Sequence, residues 1–369
     1  MIRIKLACLV ALAVAVTRAL PLAAQVQTEV PPVVAGAKPV AVEHIKVHGT
    51  SLERNLEGEA VDRDVIVFLP PSYSRDPHRR YPVVYALHGY SIGAEQWMHE
   101  IHVPQTIEGA FAEGAKEMIV VLPDSKTVYG GSIYSSSVTT GDFENFIAHD
   151  LVAYIDAHYR TLAGRRSRGL VGHSMGGYGA ARIGMKHPDV FGSIYIMSPG
   201  LLTPHPADLP RMGGVLKPED AQKAFEAAVA EMHSPQDAVS QPLAARAQLA
   251  VAAAWSPNPK NPPLYLDLPV RAGVVQPAIL AKWAANAPLA FIDQYVGNLR
   301  RYRAIGLDVG DQDPGRDDAQ QLEEAFERYA IPVHFQVYHG THTSAVADRF
   351  QNHVIPFFAE NLCRTEQCK

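Results

Sequence analysis

Little in this sequence would cross-link the chain, carry it through a membrane or grip a polyanion. Cysteine occurs three times in 369 residues, at Cys8, Cys363 and Cys368, which excludes a disulfide scaffold and a Cys-rich zinc module. The longest apolar run at the N-terminus, Leu6–Val16, has 11 residues, against about 20 for a spanning helix. No later stretch is longer and apolar enough, so no membrane span is expected. Basic residues are in deficit and the formal charge is -5, which argues against nucleic acid or an anionic membrane surface as partner. No His-Glu-x-x-His is present. The nearest pattern, His99-Glu100-Ile101-His102, reads as a solvated or capping pair, so neither a metal nor another cofactor is expected. Internal repeats are absent.

What is present at the N-terminus is an export pattern. Arg3 and Lys5 precede the apolar run, and Leu22-Ala23-Ala24 precedes polar Gln25. Residues 1–24 therefore read as a cleavable signal peptide, and the protein as secreted or periplasmic. Losing Arg3, Lys5 and Arg18 with the signal leaves a net charge of -8. In an oxidising compartment Cys363 and Cys368 could pair and staple the tail, or stay as two free thiols. Residues 25–42, rich in Pro, Val and Ala without helical period, read as a linker.

With 47% apolar residues the chain can bury a large core, and residues 43–369 read as one domain. Short apolar runs recur at Val65–Leu69, Val83–Leu87, Met118–Leu122, Gly169–Gly172, Ile194–Met197, Ala304–Leu307 and Val333–Tyr338. Between them apolar residues fall at helical spacing, as in Phe143, Phe146, Ile147, Leu151, Tyr154 and Ile155. Apolar strands alternating with amphipathic helices imply an α/β fold, a mostly parallel sheet with helices on both faces. The alternation breaks at 201–287. Thirteen of the 28 prolines lie in 201–288, and a Pro-dense segment cannot be central sheet. Two Ala-rich pieces there, Glu219–Met232 and Leu243–Ala254, read as helices. The stretch is expected to be a helical, Pro-rich, lid-like insertion over the end of the sheet.

Gly172-His173-Ser174-Met175-Gly176 is a Gly-x-Ser-x-Gly between an apolar strand and a helical stretch, the context in which this motif forms a nucleophile elbow. A sharp strand-to-helix turn holds the serine at strained backbone angles, and the flanking glycines let strand and helix approach without Cβ clashes. Ser174 is thus the candidate nucleophile. Tyr81–Leu87 runs into His88-Gly89-Tyr90, where a second oxyanion donor is expected. The backbone N–H groups of Tyr90 and Met175 are the candidates, and His88 reads as a structural histidine.

These segments resemble a known family. Arg80-Tyr81-Pro82-Val83-Val84-Tyr85 with Leu87-His88-Gly89, Val121-Leu122-Pro123-Asp124, and Phe143-Glu144-Asn145-Phe146 match it. So do Asp156-Ala157-His158-Tyr159-Arg160-Thr161, Gly172–Gly177 and His187-Pro188-Asp189-Val190-Phe191-Gly192. Together with the C-terminal Asp-Val-Gly and Gly-Thr-His segments, the chain is similar to the esterases that include esterase D, S-formylglutathione hydrolases, feruloyl esterases and mycolyltransferases. The likeness covers about residues 45–200 and 288–355 and implies the α/β-hydrolase fold with a Ser-His-Asp triad. The insertion departs from the compact members.

In this fold the order is Ser, then acid, then His. The family's acid usually stands three residues beyond the glycine of Leu307-Asp308-Val309-Gly310-Asp311-Gln312-Asp313. That implies Asp313, with Asp311 and Asp308 as alternatives; Asp308, at the strand end, could instead bond the local backbone. In His339-Gly340-Thr341-His342, Thr341 stands where the family usually has glycine. The resemblance implies His342 as base, with His339 and His353 structural. The expected chemistry is hydrolysis of a small-molecule or glycan-linked carboxylic ester, including hydroxycinnamoyl esters. An acyltransferase using the same acyl-enzyme, or an inactive binding module, is the alternative. Tyr129, Tyr134, Trp255 and Trp283, with Tyr265, are candidate substrate-binding aromatics.

Overall fold

The computed structural model describes residues 26–203 and 218–365; the signal-peptide reading of 1–24, the insertion's residues 204–217 and Cys368 lie outside the described residues. Eight strands form one sheet: β1 (Ala41–His48), β2 (Asp62–Leu69), β3 (Val83–Leu87), β4 (Ile119–Pro123), β5 (Arg168–His173), β6 (Ser193–Met197), β7 (Ala304–Gly310) and β8 (His334–Tyr338). Their spatial order is β1-β2-β4-β3-β5-β6-β7-β8. β2 runs antiparallel to β1 and β4, and every pairing from β4 to β8 is parallel.

The central strands are apolar throughout because both faces are covered. Val83, Tyr85 and Leu87 point into one core, while Val84 and Ala86 point into the other. The first core lies under α3 (Leu151–His158), α4 (Met175–Lys186) and α8 (Arg316–Arg328). The second lies under α1 (Ala94–Glu100), α2 (Val103–Ala112) and α9 (Ile355–Asn361). The insertion adds α5 (Pro218–Ala230) and α6 (Leu243–Trp255), close to the two helices expected there, and α7 (Pro277–Asn286), which had no counterpart in the sequence reading.

The strand β1 has no counterpart among the expected runs. It is an edge strand with mostly exposed residues, Ala-Val-Glu-His-Ile-Lys-Val-His, so it carries no apolar signature. Its first two residues were read as the end of a linker, and the rest of that segment is tied to the body. Val26 and Val40 are buried in the second core, and their N–H groups donate to Glu100 and Glu108 at 2.8 and 3.0 Å. β7 runs three residues further than Leu307, which takes Asp308 into the sheet. Cys363 is disulfide-bonded.

The Phe-Glu-Asn-Phe motif anchors the helix behind the elbow. Glu144, buried, accepts from Arg182 Nε at 2.6 Å and from Lys186 at 3.1 Å, both on α4. Burial opposes its charge, but His187, Arg182 and Lys186 together hold its carboxyl down at about 2.

Candidate active site

Ser174 sits between β5 and α4 with φ 61° and ψ -115°, a region that costs a non-glycine residue about 1–3 kcal/mol. Its neighbours hold it there. Its N–H donates to Met197 O at 3.1 Å, and its carbonyl accepts from Tyr178 and Gly200 at 3.0 and 3.1 Å. A Cβ on Gly172 would lie 2.0 Å from Gly176 O, and one on Gly176 would lie 2.1 Å from Leu87 O. Only glycine allows β3, β5 and α4 to approach this closely.

From this elbow a chain of hydrogen bonds runs outward. Ser174 Oγ stands 2.8 Å from His342 Nε2, and His342 Nδ1 stands 2.8 Å from Asp313 Oδ2. Asp313 also accepts from Gly315 N–H at 2.7 Å. Burial raises the Asp313 carboxyl, but the hydrogen bond and charge of His342 and the Gly315 N–H outweigh it and hold it below its ordinary value. It therefore stays an acceptor at neutral pH, able to take a hydrogen bond from His342 Nδ1.

Each of the three carboxylates competing at the end of β7 has a different partner. Asp311 pairs with exposed His339 at 2.9 Å and accepts from Gly340 N–H at 3.0 Å. Asp308 is not at a strand end. It is fully buried in β7, bonded by Arg349 Nε at 2.8 Å and Tyr195 OH at 2.9 Å. His353 lies in the helical segment Phe350–Val354, away from these contacts.

Sequence reasoning missed one supporting histidine. His173 Nε2 donates to the backbone carbonyl of His342 at 2.8 Å. Burial, with the neighbouring His342, pushes the His173 ring down to about 3, so it is neutral and ties His342 to the elbow. Its place next to the nucleophile in the motif was the available signal.

The loop after β3 brings Tyr90 to the same spot. Among the described residues neither the Tyr90 N–H nor the Met175 N–H has a partner, and both residues line a cavity of about 370 Å³ with Ser174 and His342. His88 holds this loop. Its Nδ1 donates to Gly89 O at 2.8 Å, and its Nε2 accepts from Ser125 N–H at 2.8 Å. Burial lowers its pKa, so it is a neutral strut.

Four candidate substrate-binding aromatics are placed elsewhere and do not line this cavity. Trp255 and Trp283 pack edge to face at 5.8 Å and donate to Ser135 and Ser256. They anchor the insertion to the core, because a buried indole N–H needs an acceptor that the open cavity does not offer. Tyr134 donates to His88 O at 3.1 Å, and Tyr129 O accepts from Tyr90 OH at 2.7 Å, so both brace the loop from behind. The walls are instead Ile133, Leu201, Pro199 and, from α6, Ala247 and Val251. Leu201, Ala247 and Val251 carry no sequence signal apart from their place in the insertion, and Ile133 and Pro199 carry none.

Beneath Tyr129 lies Glu57, 3% exposed, with neither carboxyl oxygen in a well-formed hydrogen bond. Burial first, and then Glu59, raise its pKa well above the ordinary value. The folded state thus keeps a proton that the unfolded chain releases, so stability falls as pH rises above the unfolded carboxylate range. The stability of Glu57→Gln minus that of the parent should increase from about pH 5 upward, by at most about 1.4 kcal/mol per pH unit. Urea unfolding of both proteins across that range measures it; a pH-independent difference would refute a protonated Glu57.

Among the described residues no group of three or more His, Cys, Asp or Glu side chains is arranged to hold a metal ion, and no helix is long and apolar enough to cross a membrane.

The family model described as "Putative esterase" matches residues 60–360. An endo-1,4-beta-xylanase/feruloyl esterase of Xylanibacter ruminicola is 29% identical over 175 residues, 44% of this chain and 24% of that protein. Esterase Rv1288 of Mycobacterium tuberculosis is 33% identical over 131 residues, 35% of this chain and 27% of that protein. The chain thus spans about a quarter of the length of these curated relatives. Among solved structures, a ferulic acid esterase superposes with TM-score 0.59 at 22% identity, covering 88% of this chain and 99% of that one. An S-formylglutathione hydrolase from Staphylococcus aureus superposes with TM-score 0.53 at 14% identity, covering 87% and 99%. The match takes in seven of the eight strands, from β2 to β8, and the serine elbow, and the chain belongs to this esterase family, on the α/β-hydrolase fold.

Proposed function

We propose that the protein is an exported serine esterase that cleaves carboxylic esters through an acyl-enzyme on Ser174. The observation that carries this reading is the unbroken chain Ser174–His342–Asp313, 2.8 Å at each step, opening on one cavity. Ser174 Oγ bonds to the ester carbon while its proton passes to His342 Nε2. The Tyr90 and Met175 N–H groups, with the N-terminus of α4, receive the oxyanion. As the intermediate collapses, the C–O bond to the alcohol breaks and the alcohol takes the proton from His342. Water then repeats the sequence and releases the acid.

A cavity of about 370 Å³ lies at the small end of ligand sites, which suits a short or single-ring acyl group. With relatives named for feruloyl esters, hydroxycinnamoyl esters are the first substrates to try. Export rests on the pattern of residues 1–24. The test is purified protein with a serine-directed phosphonate and a panel of aryl, alkyl and hydroxycinnamoyl esters. Labelling at Ser174 with ester turnover is expected; the absence of both would overturn the reading.

In the same reading the insertion acts as a specificity wall, through Leu201, Ala247 and Val251. Val251→Phe should lower kcat/KM for a feruloyl ester by about 10-fold or more relative to an acetyl ester, because overfilling an apolar wall discriminates by 1–3 kcal/mol. Parallel losses on both esters would make the residue merely structural.

A further inference from the structure

The turn that carries His342 is braced by a part of the chain outside the family match, which begins at residue 60. Residues 26–31 bond to it directly. The Glu29 N–H donates to Ser344 O at 2.8 Å, and the Thr28 hydroxyl donates to the same carbonyl at 3.3 Å. Thr28 Oγ1 also accepts from the Ala347 N–H at 3.0 Å, across 319 residues of sequence.

The need for this brace lies in the helical segment that follows the turn, Val346–Arg349. The first N–H groups of a helix have no helical carbonyl to donate to. A Ser, Thr, Asp or Asn at the N-cap usually supplies an oxygen. Here the N-cap is Ala345, which has none to give, and Thr28 brings its hydroxyl to Ala347 instead. Ser344, held by the strap through its carbonyl, also accepts the Thr341 N–H on its Oγ at 2.9 Å. His342 therefore lies between two residues that are bonded to each other, one of them fixed from outside.

The strap is itself anchored. Val26 is buried, and its N–H donates to Glu100 Oε2 at 2.8 Å, at the end of α1. Pro31 O accepts from Gln105 Nε2 on α2 at 2.7 Å. His173 fixes the His342 turn to the elbow, and the strap fixes it to α1 and α2.

We propose that Thr28, with the N–H of Glu29, is a positioning element of the esterase reaction, fixing the turn that keeps His342 Nε2 within reach of Ser174 Oγ. This rests on the ester-hydrolase reading and deepens it. The N-terminal strap, which the family match leaves out, becomes part of the support of the active site.

The experiment uses the full chain and an aryl ester. Thr28→Val keeps the shape of the side chain and removes the hydroxyl. It should lower kcat by about 10-fold with KM nearly unchanged, because misplacing a catalytic group by about 1 Å costs up to ~10²-fold in rate. The rate of phosphonate labelling at Ser174 should fall in step, since the same imidazole takes the serine proton. Thr28→Ser, which keeps the hydroxyl, should retain the parent kcat. Thr28→Val combined with Glu29→Pro, which also removes the N–H bonded to Ser344, should lose more than Thr28→Val alone. Thermal unfolding of each variant fixes an assay temperature well below its midpoint, so that loss of fold does not enter the rates. A parent-like kcat in the double variant, even with a lowered midpoint, overturns the proposal and leaves the esterase reading standing. Equal losses in Thr28→Val and Thr28→Ser do the same. A parent protein that turns over no ester and takes no label overturns the esterase reading itself.

Discussion

Ser174→Ala should lose at least ~10³-fold in kcat while the protein keeps its fold. Removing the hydroxyl removes the atom that forms the acyl-enzyme, so what survives is the catalysis that oxyanion donors and binding give to direct attack by water. The backbone of the elbow does not depend on that hydroxyl. It is held by the bonds to Met197, Tyr178 and Gly200 and by the close approach at Gly172 and Gly176. Steady-state kinetics on an aryl ester, beside thermal unfolding and phosphonate labelling, measure the effect. Normal turnover in Ser174→Ala would remove the foundation of the proposed function.

Asp313→Asn should cost about 10⁴-fold in kcat at neutral pH, by analogy with the same change in the serine-protease triad. The reason is tautomeric. Asp313 Oδ2 accepts from His342 Nδ1 at 2.8 Å, while its other oxygen takes the Gly315 N–H. An amide oriented to keep the Gly315 bond turns its NH2 toward His342, which then places its own proton on Nε2 and faces the serine as a donor. The neighbouring carboxylates predict different outcomes. Asp311→Asn breaks an exposed pair with His339 and should leave turnover within a few-fold. Asp308→Asn should act on stability, because it strips the buried Arg349 of its counter-charge, a loss of about 3–5 kcal/mol for a pair of this kind. Kinetics and unfolding on the three variants separate these roles. If Asp311→Asn were the damaging one, the assignment of the acid would fall.

Much of this was legible in the residues. Apolar runs bounded by turn residues gave the inner strands β3 to β6 almost to the residue, because strands buried on both faces must be apolar at every position, while β2 and β7 each extend three residues further through polar Asp62, Arg63 and Asp64 and through Asp308. The strand β1 escaped notice for the converse reason: an edge strand exposed to water can alternate Glu, His and Lys. The serine elbow was legible because its requirements are local. A strand end, two glycines and a helix start within five residues of Ser174 are all contained in one segment.

What one segment cannot contain had to come from the tertiary structure. Three carboxylates lie within six residues of one another, and the choice among them depends on where the histidine 29 residues later comes to rest. The pairing of β7 with β8, Gly310 beside Tyr338, sets that position and sends His339 to Asp311 and His342 to Asp313. The aromatic residues were misleading for a related reason. A tryptophan in an insertion suits a pocket wall and a buried anchor equally well by composition, and only packing decides, by offering Trp255 and Trp283 acceptors inside the core. By itself the sequence determined the fold and the family and pointed to Ser174 as the candidate nucleophile, all of which rest on short-range pattern. The tertiary structure decided which carboxylate meets which histidine and which side chains wall the cavity, since each of these depends on contacts between segments far apart in the chain.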